Sequence, residues 1–375
     1  MKGMRFPDLN ELRARNTLKW TRYPADALPM WVAESDFGTC PEVKQALLDA
    51  VDREAFGYPP ATTGLGEALS KFSTSHYGWG PKPEHVFAVP DVVRGVWLAI
   101  EHLTRPGAPI ILPTPSYMPF LEFSRVMDRE TMIIDAYGGI DLDAVEDCLR
   151  RGAGSIVLVS PYNPLGFAFE REFLVELAEL VARYDARIIA DEIHAPLVFA
   201  RRNIPVASVS DTAAAVTVTV TATSKAWNIA GLKCAQMVFS NAADAAAWER
   251  IHPLWREGVS TIGLVAAEAC YRADTAFLDE QLQVLRSNRD TLAAELPALI
   301  PGLTTTIPDA TFLMWLDFRD TALADRPAAQ ILQRCKVVLN EGLTFGPGGA
   351  GHARLNFACT PDTLTEALNR LSTAV

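Results

Sequence analysis

The chain has 375 residues, 49% hydrophobic and 21% charged, a balance that fits a soluble globular protein of about two domains. Its formal net charge of −11, with no basic block, argues against nucleic acid and anionic membrane as partners and leaves a small molecule. Six scattered cysteines, with no C-x-x-C and no Cys/His cluster, argue against a disulfide framework and against a zinc site, so no metal is expected.

The opening residues, MKGMRFPDLNELRARN, become charged before a signal-peptide core can form, and no apolar run reaches ~18 residues. A cytoplasmic protein without a membrane span is the expectation. Residues 1–45 read as an irregular arm rich in aromatics, among them Trp20, Tyr23, Trp31 and Phe37. From residue 42 onward apolar runs alternate with helical periods, the pattern of an α/β layer structure. Strands are predicted at 155–160 (SIVLVS), 187–190 (RIIA), 216–221 (VTVTVT) and 235–240 (AQMVFS), and helices over 173–184 and the alanine-rich 242–247. Beyond 275 come a long amphipathic helix over 278–296, a strand near 312–318 and a last strand near 353–358. The expected division is a large domain over 45–275 and a smaller one made of 1–44 plus 276–375.

Strand ends of an α/β sheet are where ligands usually bind, and three of these strands end in polar groups. Asn163 follows the first, Asp191 and His194 the second, Ser224 and Lys225 the third. Lys225 is one of only eight lysines; it follows an apolar strand and precedes Ala-Trp. A desolvated lysine there has a lowered pKa and serves as a Schiff-base amine; the alternative is a strand-end lysine snorkelling to solvent. Asp191 reads as a fixed anion for a protonated heterocyclic nitrogen, or as a helix cap or ion-pair partner. Arg354, in HARLNFA, reads as a carboxylate clamp, or as an exposed residue of an alternating strand. Gly346, Gly348 and Gly351 satisfy G-x-G-x-x-G, but Pro347 interrupts and a strand follows, so the segment reads as a loop and not a dinucleotide site.

In chain order the motifs are FGY at 56–58, PTPSY at 113–117, SPYNPLG at 160–166, ADEIH at 190–194, TATSKAW at 221–227 and RLNFA at 354–358. Together they resemble fold type I pyridoxal-phosphate enzymes, the aspartate-aminotransferase superfamily, over nearly the whole chain. LPMWVAESDFGTCPEV at 28–43, with DEIHAPLV and TSKAWN, is similar to the cystathionine β-lyase branch of MalY/PatB type. The resemblance implies a mostly parallel central sheet in a large domain beside a smaller α+β domain. It implies that Lys225 holds the coenzyme covalently and that Asp191 pairs with the pyridine nitrogen. Asn163 and His194 would flank the phenolic oxygen, and Tyr117 would stack on the ring. The amides of Val92 and Val93, at a helix start after Pro90, would receive the phosphate with the Ser224 hydroxyl. Tyr58 would reach the phosphate of the neighbouring subunit of a homodimer, and Arg354 would bind the substrate α-carboxylate.

Three departures qualify the pattern. Asp91 is a good N-cap at the phosphate helix, but its charge must point away from the phosphate. Lys233 stands where many relatives have arginine and offers a point charge in place of a fork. NPLG replaces the commoner NPTG. The implied activity is cleavage of cystathionine or related cysteine S-conjugates to a thiol, pyruvate and ammonia. The alternative is an aminotransferase for aromatic or small amino acids, and a third reading is a non-catalytic regulator on the same fold. No second arginine for acidic side chains is identifiable, and the arm aromatics fit an apolar thioether or simply pack the arm.

Overall fold

In the computed structural model, residues 4–199 and 202–375 are described. The arm opens with two short helices, α1 (Leu9–Ala14) and α2 (Leu18–Thr21), before strand β1 (Leu28–Pro29). This corrects the expectation of an irregular arm. The start of α1 is written in the sequence as Asp8-x-x-Glu11: Asp8 accepts from the amides of Asn10 and Glu11, and Glu11 accepts from the amide of Asp8.

Helices α3 (Pro41–Asp52) and α4 (Leu65–Tyr77) lead to β2 (Val86–Val89) and α5 (Val92–Leu103). The layered part then runs β3 (Ile110–Thr114), α6 (Met118–Leu121), α7 (Phe123–Met127), β4 (Thr131–Asp135), α8 (Leu142–Arg150), β5 (Ser155–Val159), α9 (Arg171–Arg183) and β6 (Arg187–Asp191). It closes with α10 (Asp211–Val216), β7 (Thr217–Thr221) and β8 (Ala235–Phe239). These strands form one seven-stranded sheet in the order β2-β8-β7-β6-β5-β3-β4. β4, β3, β5, β6 and β7 pair in parallel, and β8 is antiparallel to both its neighbours. Helices cover both faces, which is why SIVLV is buried throughout and why even Thr217 and Thr219 of TVTVT lie inside. α5 comes close to the sheet at Gly95, where a Cβ would stand 2.6 Å from Val220 Cγ1. That close approach fixes where the N-terminus of α5 points.

Next follow α11 (Ala242–Arg250), α12 (Pro253–Arg256), α13 (Thr261–Arg272) and the 24-residue α14 (Ala276–Leu299). Strands β9 (Thr304–Thr305) and β10 (Leu313–Asp317) precede α15 (Pro327–Cys335) and the short β11 (Val337–Val338) and β12 (Asn340–Glu341). β13 (His352–Asn356) and α16 (Pro361–Leu371) end the chain. A second, antiparallel sheet has the order β12-β13-β10-β9. β1 pairs in parallel with β11, Leu28 opposite Val337, which ties the arm to the C-terminal part. The glycine-rich 346–351 segment is a loop between β12 and β13, with positive φ at Gly346, Gly348 and Gly351, as its composition predicts. All six cysteines are buried and unpaired. No helix among the described residues is long and apolar enough to cross a membrane.

Candidate active site

β3, β5, β6 and β7 lie side by side, and their carboxyl ends open onto a cavity of about 930 Å³. Each exit delivers a predicted residue. The chain leaving β3 brings Tyr117, β5 brings Asn163, β6 ends in Asp191 and continues to His194, and the turn after β7 carries Ser224 and Lys225. Lys225 therefore sits four residues beyond the strand rather than at its end. The antiparallel β8 starts at the same edge and places Lys233 just before it; β2 leads into Asp91, Val92 and Val93 at the N-terminus of α5. Arg354 reaches the cavity from β13 of the second sheet.

The cavity thus gathers Val92, Val93, Tyr117, Asn163, Asp191, His194, Ser224, Lys225, Lys233 and Arg354. Tyr58 is not among them; it is 99% exposed in the loop before α4. Arg354 is not an exposed strand residue either. β13 is buried on both faces, because β10 and β12 flank it and the arm lies across its end. Alternation in HARLNFA suggested one open face, and packing from the arm closes it. Of the four arm aromatics only Trp31 lines the cavity, edge-on to Tyr23, while Phe37 is buried in the core; packing of the arm accounts for the rest.

Sequence reasoning missed how the arm's backbone holds the cations. Lys225 Nζ donates to the carbonyl of Ala33 at 3.1 Å, and Arg354 Nη2 to the carbonyl of Trp31 at 3.2 Å. Asn340 Nδ2 also donates to Trp31 O, and Asn356 Nδ2 to the carbonyls of Val32 and Glu34. Asn228, three residues after Lys225, exchanges two hydrogen bonds with the backbone of Ser35. The only sequence signal was proximity of asparagines to TSKAW and RLNFA. Arg354 Nη1 donates to Asn163 Oδ1 at 2.9 Å, and its guanidinium lies 4.8 Å from the Phe345 ring centre.

Burial sets the electrostatics. It lowers Lys225 to about 8, helped by the charge of Arg354 and opposed by Asp191 and Glu34. It raises Asp191 to about 7 against the pull of the Ile193 amide and Lys225. Burial also holds His194 well below the usual histidine range, so its ring is neutral, and brings Arg354 to about 10. At the α5 terminus Asp91 Oδ1 caps the Arg94 amide, while Oδ2 receives Lys233 Nζ at 2.8 Å. The Asp91 charge is thus met by Lys233.

The polar groups left over fit pyridoxal phosphate. Asp191 is a buried anion whose recorded hydrogen bond is to the Ile193 amide, so a protonated ring nitrogen would complete it. Nδ1 of His194 is buried without a hydrogen-bond partner among the described residues. The amides of Val92 and Val93 head a 12-residue helix, where an anion is favoured by the unpaired N–H groups and the helix dipole. Lys225 supplies the low-pKa amine and Tyr117 a half-buried ring on the same wall.

A half-buried lysine and a buried carboxylate lining one cavity at the carboxyl edge of a sheet with this strand order place the molecule among the fold type I pyridoxal-phosphate enzymes. The family model for aminotransferases of class I and II matches residues 28–371, and the chain belongs to that family. It is 53% identical over 372 residues to a cystathionine β-lyase of Corynebacterium glutamicum, covering 99% of this chain and 100% of that one. It is 31% identical to the cystathionine β-lyase PatB of Bacillus subtilis, covering 99% and 100%. A crystal structure from Corynebacterium diphtheriae, provisionally described as a pyridoxal-phosphate-dependent β-cystathionase, superposes with a TM-score of 0.98 at 51% identity, covering 100% of this chain and 99% of that one.

Proposed function

We propose that the protein is a pyridoxal-phosphate-dependent carbon–sulfur β-lyase that cleaves cystathionine or a related cysteine S-conjugate to a thiol, pyruvate and ammonia. The observation that carries this reading is that Lys225, Asp191 and Arg354 line one cavity, with no second arginine among its described lining residues. Identity of 53% to a cystathionine β-lyase supports the substrate class.

Bound pyridoxal phosphate supplies the electron sink for the pair left when the substrate Cα–H bond breaks. Lys225 Nζ would hold the coenzyme covalently and, as a free amine beside the bound substrate, would take the Cα proton. A pKa near 8 keeps a useful fraction of Nζ unprotonated for that step. Arg354 binds the α-carboxylate and, held by Asn163 and the Trp31 carbonyl, orients the Cα–H bond toward Lys225. Asp191 would keep the ring nitrogen protonated. A thiolate leaves from Cβ with little need of a proton, since cysteine-like thiols have pKa values near ~8.5. Neutral His194 offers a hydrogen-bonding nitrogen without adding charge.

The protein acts as a homodimer in this reading. Tyr58 and Phe56 stand exposed at 99% and 65% on one loop, and the resemblance puts Tyr58 at the partner's phosphate. Its division into 45–275 and 1–44 plus 276–375, and a cytoplasmic location, belong to the same proposal. Incubation of the purified enzyme with cystathionine and no keto acid tests it. Release of homocysteine, pyruvate and ammonia in equal amounts is expected. Pyruvate that forms only when a keto acid is supplied would replace the lyase by an aminotransferase.

A further inference from the structure

Six charged side chains line the cavity among the described residues, and the coenzyme and the substrate's amino-acid end account for five. Asp91 and Lys233 stand at the phosphate end, Asp191 and Lys225 at the centre, and Arg354 takes the α-carboxylate. Glu122 is left. It lies where α6 passes into α7, on the wall that also carries Met118, Pro119 and Leu121. Its side chain is 56% exposed, so it belongs to the open side of the cavity and not to its floor. Arg125 donates to it twice, from Nε at 2.9 Å and Nη2 at 2.7 Å, and both bonds fall on Oε2. Oε1 keeps its full accepting capacity among the described residues.

We propose that Glu122 selects thioether substrates whose departing side carries an ammonium group. The inference rests on the lyase reading. In a cysteine thioether the α-amino and α-carboxyl groups are held at Lys225 and Arg354, so the substituent on sulfur extends away from them toward the remaining wall. There the methylenes meet Met118, Pro119 and Leu121, and the Glu122 carboxylate meets the first polar group beyond them. Cystathionine carries an ammonium on the third carbon past sulfur, which such a carboxylate attracts; a substituent ending in a carboxylate alone meets like charge. The Arg125 guanidinium, bound to Oε2, lies within reach of the distal carboxylate that accompanies the ammonium in cystathionine.

Two isosteric substrates isolate the effect: S-(3-aminopropyl)cysteine and S-butylcysteine, which differ by an ammonium in place of a methyl. The kcat/KM ratio of the first to the second should be about fivefold in the native holoenzyme, the upper range for a solvent-exposed charge pair. Glu122→Gln should bring the ratio close to one, with the change in KM and not in kcat. Dissociation constants measured by calorimetry on holo Lys225→Ala protein, which cannot turn over, should show the same loss of preference. A ratio near one in the native enzyme, or a ratio that survives in Glu122→Gln, overturns the role of Glu122 while leaving the lyase reading intact. Absence of thiol and pyruvate from both substrates overturns the lyase reading itself and this inference with it.

Discussion

Lys19 and Asp36 form an ion pair of 2.7 Å in which both side chains are buried, at 2% and 1% exposure. The pair lies under the arm segment whose Ala33 carbonyl receives Lys225, and Lys19 Nζ also reaches the carbonyl of Glu34. Arg15 donates to the carbonyls of Ser35, Asp36 and Phe37 from the other side. The arm is therefore a backbone scaffold pinned by buried cations, and the active-site lysine hangs from it. Removing one partner leaves a charge uncompensated in the interior. Lys19→Met should destabilise by about 3–5 kcal/mol, read as a fall in denaturation midpoint at constant m-value. Lys19→Met combined with Asp36→Leu should recover much of that loss; equal loss in the single and double variants would show that the pair itself contributes nothing.

Asp91 and Lys233 form an exposed pair at the N-terminus of α5, 40% and 57% open. Part of the lysine's charge is answered before any ligand arrives. Asp91→Asn keeps an N-cap acceptor for the Arg94 amide while removing a negative charge. It should tighten pyridoxal phosphate by a few-fold in titrations of the apo protein, and Lys233→Ala should loosen it by a similar factor. Looser binding in Asp91→Asn would mean that the pair works as one unit in holding the coenzyme.

Arg354 is fully enclosed and hydrogen-bonded to Asn163 and the arm. Arg354→Lys should lower kcat/KM by roughly 2–5 kcal/mol in free-energy terms while the coenzyme absorption spectrum stays intact. Retention of coenzyme separates a substrate role from a structural one. A variant that loses its coenzyme would assign Arg354 to the scaffold.

The raised pKa of Asp191 predicts a pH effect on the apo protein. The folded value of about 7 lies above the ordinary 3.8, so between them the native state binds more protons than the unfolded state. Stability falls as pH rises through that window, because burial penalises the anion. Asp191→Asn should remove this component, so the variant's advantage over the native apo chain should grow from about pH 4 to 7, to a few kcal/mol at most. Adding pyridoxal phosphate should reverse the advantage. Parallel stability curves for the two apo proteins would show that Asp191 stays ionised through another contact.

Most of the large sheet was readable because its strands are continuous apolar runs ended by turn residues, as in SIVLVS-PYNP and RIIA-DEIH. Asn163, Asp191 and Lys225 stood out because each lies at, or within four residues of, the carboxyl end of a buried apolar strand. What stayed hidden depends on contacts distant in sequence. Burial of Arg354 arises from β10 and β12 beside it and from the arm, whose Trp31 is separated from it by 323 positions. Lys19 sits in a charged stretch, RARNTLKWTRY, and nothing local distinguishes a lysine that pairs inside the core. The helices of the arm were legible in principle through the Asp8/Glu11 capping box, but the aromatics and prolines drew the reading toward an irregular segment. Tyr58 is 99% exposed in the single chain, and nothing in one chain links it to the cavity.

In the proposed reaction Lys225 is the reactive amine. Reduction of the holoenzyme with borohydride, followed by proteolysis and mass analysis, reads this directly. The coenzyme adduct should appear on Lys225, in the peptide containing TSKAWN, at one per chain, and Lys225→Ala protein should give none. An adduct on Lys233, the other lysine of the cavity wall, would contradict the arrangement of Lys225, Asp191 and Arg354 from which the reaction is derived.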